Sequence, residues 1–264
     1  MKERTVKTNA EQEIFATAAD SDKDSSSISN RPLNRREFLA ASAAIGISTL
    51  MPGFAATAAS SAKTFTILHT NDMHASFIGM GPSADYTPFT LNDDSTRGGY
   101  ARLASLITQR TSARKSQGPV LVLDAGDYSM GTAFSAATRE TGGELHLMGK
   151  MGYDATTFGN HEFDLGPAGL GKSISAAVKA GRIPAVLSAN AGFTGDDASL
   201  AELQGLSRKG VIRRYTVIER GGLRFGIFGS LGKEAMIYTS GGATSFADPT
   251  ASAKEVVKTL RDTE

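Results

Sequence analysis

One pattern, repeated three times, constrains this chain more than any other. A short β-rich apolar run ends in a string that carries Asp, Asn or His. Residues 64–69 lead into His69-Thr70-Asn71-Asp72-Met73-His74, residues 120–123 into Gly126-Asp127, and residues 154–158 into Gly159-Asn160-His161-Glu162-Phe163-Asp164. Residues 184–187 (P-A-V-L) complete four predicted strands. Helical spacing fills the gaps: 99–115 carries Leu103, Leu106 and Ile107, 133–151 carries Leu145, Met148 and Met151, and 168–180 carries Leu170, Ile174 and Val178. Strands alternating with helices predict an α/β fold built from βαβ units around a largely parallel sheet.

Past residue 189 the pattern shifts. Residues 192–209 read as a polar connector with Gly and Asp. Residues 211–219, the turn Gly221-Gly222 and residues 223–228 read as a β-hairpin. Residues 250–261 read as a helix with Ala253, Val256, Val257 and Leu260 on one face. An amphipathic helix in such a fold is normally followed by a further strand, so the fold is expected to be incomplete at its C-terminus.

Length and composition allow one sizeable core, or one domain and a tail: 264 residues, 40% hydrophobic, 21% charged, net charge +1. The near-neutral balance gives no electrostatic argument for nucleic acid as a partner. With no cysteine, disulfides and thiolate metal sites are excluded, which leaves His, Asp, Glu and Asn as metal ligands.

Residues 1–58 read as an address, and residues 59–264 as the folded domain that carries the three strings. Residues 1–33 are polar, rich in Ser, Asp and Lys and aperiodic, so disorder is expected. Asn34-Arg35-Arg36-Glu37-Phe38-Leu39-Ala40 resembles a twin-arginine export signal. It is followed by a mildly apolar stretch to Phe54 and a small-x-small cleavage site at Ala56-Thr57-Ala58. The stretch is short and weakly apolar against the ~20 residues of a membrane span. The expectation is a periplasmic or otherwise exported protein that uses the twin-arginine machinery, with no stable span in the mature chain.

In an open α/β sheet, ligands bind beyond the carboxyl ends of the strands, where all three strings fall. Asp72 and His74 can turn toward one cation, and Asp127 can bridge two ions with its two oxygens. Asn160 offers a neutral oxygen where another anion would over-neutralise the site. Two ions roughly 3.5–4 Å apart can acidify a shared water and clamp a phosphoryl group. His161 would then stabilise charge or protonate a leaving oxygen, with Asp164 orienting its ring.

The strings H-T-N-D-M-H, G-D-x-x-x-G (Gly126 to Gly131) and G-N-H-E-F-D resemble those of the calcineurin-like metallophosphoesterases, in particular the 5′-nucleotidase branch. Arg97-Gly98-Gly99-Tyr100-Ala101-Arg102-Leu103, Met151-Gly152-Tyr153-Asp154-Ala155 and Ser188-Ala189-Asn190 extend the resemblance over roughly residues 64–260. It implies a layered α/β sandwich holding two divalent ions (manganese, zinc or iron). It also implies that Asp72 and His74 bind one ion, Asp127 bridges, Asn160 binds the second, and His161 with Asp164 stabilises the transition state. The implied reaction is hydrolysis of a small-molecule phosphomonoester, first among them a nucleoside 5′-monophosphate. A cyclic-nucleotide or nucleotide-sugar phosphohydrolase, a thiosulfohydrolase and a truncated, inactive fragment remain alternatives.

The family supplies further histidines downstream, whereas the four in this chain are His69, His74, His146 and His161. His69 is expected to pack at a strand end and His146 on a helix. Gly166-Pro167-Ala168-Gly169-Leu170-Gly171-Lys172-Ser173 fits the P-loop expression, but no strand leads directly into it, so it is read as a helix start. Residues 77–98 form a long Gly-, Pro- and Asp-containing loop, long enough to suggest a rim or lid over the site.

Overall fold

The computed structural model describes residues 2–8, 63–79 and 97–264. Most of the stretch read as an export signal and of the 77–98 loop lies outside these residues. Within the N-terminal region, Lys2–Thr8 forms a strand (β1).

The central sheet has the order β1-β2-β3-β4-β5-β7. Here β2 is Lys63–Thr70, β3 Val120–Asp124, β4 Ala155–Thr157, β5 Ala185–Leu187 and β7 Ile212–Arg213, while β6 (Ala191–Gly192) pairs elsewhere. The five strands from β2 to β7 in that order run parallel, in register from Thr66 opposite Val120 to Val186 opposite Ile212. In β2 the alternation expected of a strand holds: Thr66, Leu68 and Thr70 are buried, and the residues between them only partly so. On β3, Val120, Leu121 and Val122 are all buried, as both faces of a central parallel strand should be.

Helix α1 (Tyr100–Arg114) follows β2 as the spacing predicts. The single helix expected over 133–151 is instead three pieces: a 3-10 turn at Ala133–Ala137, α2 (Thr138–Thr141) and α3 (Gly143–Met151). Gly142 separates the last two with φ 55, and a Cβ there would lie 2.3 Å from the carbonyl oxygen of Ser173. The chain has to bend where it touches its neighbour, and only glycine fits that contact.

Helix α4 (Gly166–Ala180) holds the P-loop-like string in its first turns, with Pro167 at the start and Lys172 exposed. It packs against α2, α3 and α5 (Ala201–Arg208). α5 corrects the expectation of a polar connector over 192–209. Its Leu203 and Leu206, with Leu200 just before it, form a buried stripe, but one too narrow to stand out among Gly, Asp and Glu. Asp197 starts this segment by accepting the Ser199 N–H at 2.8 Å.

The hairpin also differs at one end. Ile212–Arg213 joins the parallel sheet as its last strand, and the ribbon is β8 (Tyr215–Arg220) with β9 (Leu223–Phe228). Arg220 binds both carboxylate oxygens of Asp154, at 2.8 and 2.6 Å, and Asp154 also accepts the Val122 N–H, so the ribbon is tied to β3. Phe65 and Phe225 meet edge to face at 5.0 Å on the same side. After the short helix α6 (Lys233–Ile237), β10 (Ser245–Phe246) pairs with β6, and α7 (Pro249–Thr263) follows with Asp248 as its cap. Among the described residues, no helix is long and apolar enough to cross a membrane.

Candidate metal centre

Parallel pairing brings the carboxyl ends of β2, β3 and β4 side by side, and their loops are stitched together by backbone. The N–H groups of Asp72, His74 and Ala75 donate to the carbonyls of Gly126, Asp127 and Tyr128 at 2.9–3.0 Å. The second loop therefore acts as a template for the first. Among the described residues, the non-glycine positions with left-handed backbone are Asp72, His74, Ala75, Asp127 and Met130. Each costs about 1–2 kcal/mol, and such strain persists only where surrounding bonds enforce it. Gly159 permits the close approach of the third loop, since a Cβ there would sit 2.1 Å from Asp127 Oδ1.

Two buried carboxylates form the floor. Asp124 ends β3 and accepts from Thr70 Oγ1, Thr156 Oγ1 and the Gly126 N–H at 2.7–3.0 Å, joining three strand ends. Burial pushes it up to about 6, against the lowering effect of these bonds. Glu162 is 4% exposed and accepts the N–H groups of Asp127, Ser129 and Gly159 and the Ser129 hydroxyl. Burial pushes it to about 7 despite four bonds that favour the carboxylate.

Above this floor, ligand atoms of His74, Asp127 and His161 lie within 4.8 Å of one another. The two imidazoles meet edge to face at 5.1 Å. Asp72 Oδ1 is 3.7 Å from His74 Nε2, so the first string converges on the same point. Asn160 is half-buried at the start of the 3-10 turn His161–Phe163, directly before His161. The His161 N–H donates to Asp127 Oδ1 at 3.0 Å, and its Nδ1 lies 2.7 Å from Asp164 Oδ2. The hydrogen bond to Asp164 raises the pKa of His161 above its ordinary value, against its partial burial. An imidazole whose Nδ1 is held by a carboxylate has Nε2 left for an ion or a substrate oxygen. Two imidazoles and a carboxylate suit manganese, zinc or iron, so the donor set fits a divalent cation.

His161, read from the sequence only as a catalytic group, thus stands within ligand distance of two metal-ligand candidates. His69 lines a cavity of about 540 Å³ with Asn71, Asp72 and Arg102. His146 lies apart on α3, half-buried. Sequence reasoning missed Glu162 and Asp124. Both stand inside or beside the selected strings, but only the fold shows that one carboxylate is buried beneath another.

Residues 65–224 match the calcineurin-like phosphoesterase family. The chain belongs to that family. The chain is 34% identical over 177 residues to the 5′-nucleotidase of Bos taurus, covering 67% of this chain and 28% of that protein. Among solved structures it is similar to the 5′-nucleotidase precursor of Thermus thermophilus (32% identity, TM-score 0.55, 74% of this chain and 34% of that one). It is also similar to the NAD nucleotidase of Haemophilus influenzae (26% identity, TM-score 0.55, 74% and 32%). The chain spans less than a third of the length of the curated 5′-nucleotidases it matches.

Proposed function

We propose that this phosphoesterase belongs to an exported hydrolase that cleaves nucleoside 5′-monophosphates to nucleoside and phosphate. The observation that carries the reading is the meeting of His74, Asp127 and His161 in the loops beyond three strand ends, with Asp164 bonded to His161. The likeness to 5′-nucleotidases supports the choice of substrate.

Asp72, His74, Asp127 and Asn160 are the residues that would hold a pair of divalent ions, which when bound supply Lewis-acid polarisation of the phosphoryl group and an acidified water. Asp127 is suited to the shared position because its backbone is held on both sides: its N–H by Glu162 and its carbonyl by His74. Asp164 keeps the His161 ring oriented and favours its protonated form. That form can stabilise charge developing on phosphoryl oxygens and give its proton to the departing ribose oxygen. The P–O ester bond breaks, water supplies the new oxygen on phosphorus, and the alcohol leaves neutral.

The test is manganese-dependent release of phosphate from AMP, with a generic aryl phosphate, a cyclic nucleotide, NAD and a thiosulfate ester as comparison substrates, set beside an Asp127→Asn control. Equal activity in wild type and control would sink the metal mechanism. Preference for a comparison substrate would reassign the reaction within the family. Manganese binding without turnover would mark an inactive fragment. Export is tested separately: Arg35→Lys with Arg36→Lys should trap the protein in the cytoplasm, and unchanged export would remove the twin-arginine reading.

A further inference from the structure

Glu162 has no role in the site as described so far except as part of its floor, yet its carboxylate accepts four hydrogen bonds from the reactive loops. Its Oε2 accepts the N–H groups of Asp127, at 2.9 Å, and Gly159, at 2.6 Å. Its Oε1 accepts the N–H and the hydroxyl of Ser129, at 3.0 and 2.9 Å. One side chain from the third loop thus holds two residues of the second loop and the entry to its own.

The link is reciprocal. Glu162 takes the Asp127 N–H, and Asp127 Oδ1 takes the His161 N–H at 3.0 Å. The arrangement is a closed ring: carboxylate of the third loop to backbone of the second, carboxylate of the second to backbone of the third. It acts on a residue with φ 53, in the left-handed region that costs energy for residues other than glycine. Every bond to Glu162 comes from a donor, and a buried carboxylate is an acceptor only.

We propose that Glu162 is the positioning residue of this centre, locking Asp127, which would hold the ions, at a fixed separation from His161, which would act on the phosphoryl group beside them. The metal-binding consequence rests on the function proposed above; the locking itself does not. Gln cannot replace Glu, because its amide nitrogen must face at least one N–H donor at either position. Asp retains the charge but is one methylene too short to span the loops.

The lock is tested first in the wild-type protein, without metal, by residue-resolved amide hydrogen exchange. Asp127, Ser129 and Gly159 should be protected, and exchange at the rate of an open loop at these three amides overturns the proposal. In the full protein, Glu162→Gln and Glu162→Asp should then weaken manganese binding, measured calorimetrically, by roughly 10–100-fold, the range for groups that orient ligands. The decrease should fall on kcat, with KM changed less than threefold. Ser129→Ala, which removes one of the four bonds, should fall between wild type and Glu162→Gln.

A folded Glu162→Gln protein with wild-type manganese affinity, kcat and exchange pattern overturns the assignment. If Glu162→Gln does not fold, the wild-type exchange pattern and Ser129→Ala still decide. If Asp127→Asn binds manganese as wild type does, the metal reading fails, while protected amides would still support the lock.

Discussion

Two irregular regions of this molecule are each organised by one buried polar side chain, and they use it differently. Around Glu162, two of the three loops carry left-handed Asp72, His74, Ala75, Asp127 and Met130, and the organising group is a carboxylate. Around Asn190, the loops after β9 are held by a neutral amide. Its Nδ2 donates to the carbonyls of Leu231 and Ala247 at 3.0 and 3.3 Å, and its Oδ1 accepts the Leu231 N–H at 2.9 Å. Among the described residues after 130, only glycines have positive φ. Backbone strain in residues other than glycine is thus concentrated where imidazoles and carboxylates converge. The Asn190 region is relaxed and presents Ile237 and Tyr238, 79% and 74% exposed, instead of ligands. The difference teaches that a bonding hub alone does not mark a reactive site; a hub that holds strained ligand positions does.

That contrast can be broken by substitution. Asp127→Asn should reduce manganese-dependent hydrolysis on the order of 100-fold or more, while moving the urea midpoint of the metal-free protein little. A large stability loss with activity retained in the folded fraction would make Asp127 a structural residue and erase the distinction. Asn190→Ala should do the reverse. Leaving the buried Leu231 N–H and carbonyl unpaired should cost about 1–3 kcal/mol in urea unfolding, with kcat per folded molecule unchanged. A specific kcat loss there would extend the reactive region to Asn190.

A smaller effect sharpens the role of the His161–Asp164 pair. Because Asp164 raises the pKa of His161, the pair adds stability that is fully present below the usual imidazole value near 6.5. This stability is lost as pH rises through the higher folded value. Asp164→Asn should lower the NMR titration midpoint of His161 in metal-free protein and remove that pH-dependent component. An unmoved midpoint would contradict the hydrogen bond as the cause. The smallest effect belongs to Lys172→Ala. That residue is exposed on α4, and its loss should stay within about 0.5 kcal/mol in stability and leave hydrolysis intact. Loss of activity would revive phosphate binding by the glycine-rich string.

Much of the architecture was legible because it depends on local chemistry. Runs such as V-L-V-L announce a buried parallel strand, and the spacing of Leu170, Ile174 and Val178 announces a helix. What escaped was decided by contact. α5 hid because three leucines suffice when α4 covers them, and the 133–151 helix broke because Gly142 lies against Ser173. The Ser188-Ala189-Asn190 string, noticed only as part of a resemblance, has a physical role in Asn190's hold on the loops after β9.

By itself, the amino-acid sequence determined which groups could do chemistry and at which strand ends they lie, because side-chain type and hydrophobic period are local properties. The tertiary structure alone decided that His161 joins His74 and Asp127 within 4.8 Å. It also made Glu162, one residue from His161 in the same string, a buried clamp rather than a solvated charge. Both outcomes depend on parallel register setting three loops side by side, and register is a relation between distant segments that no single string contains.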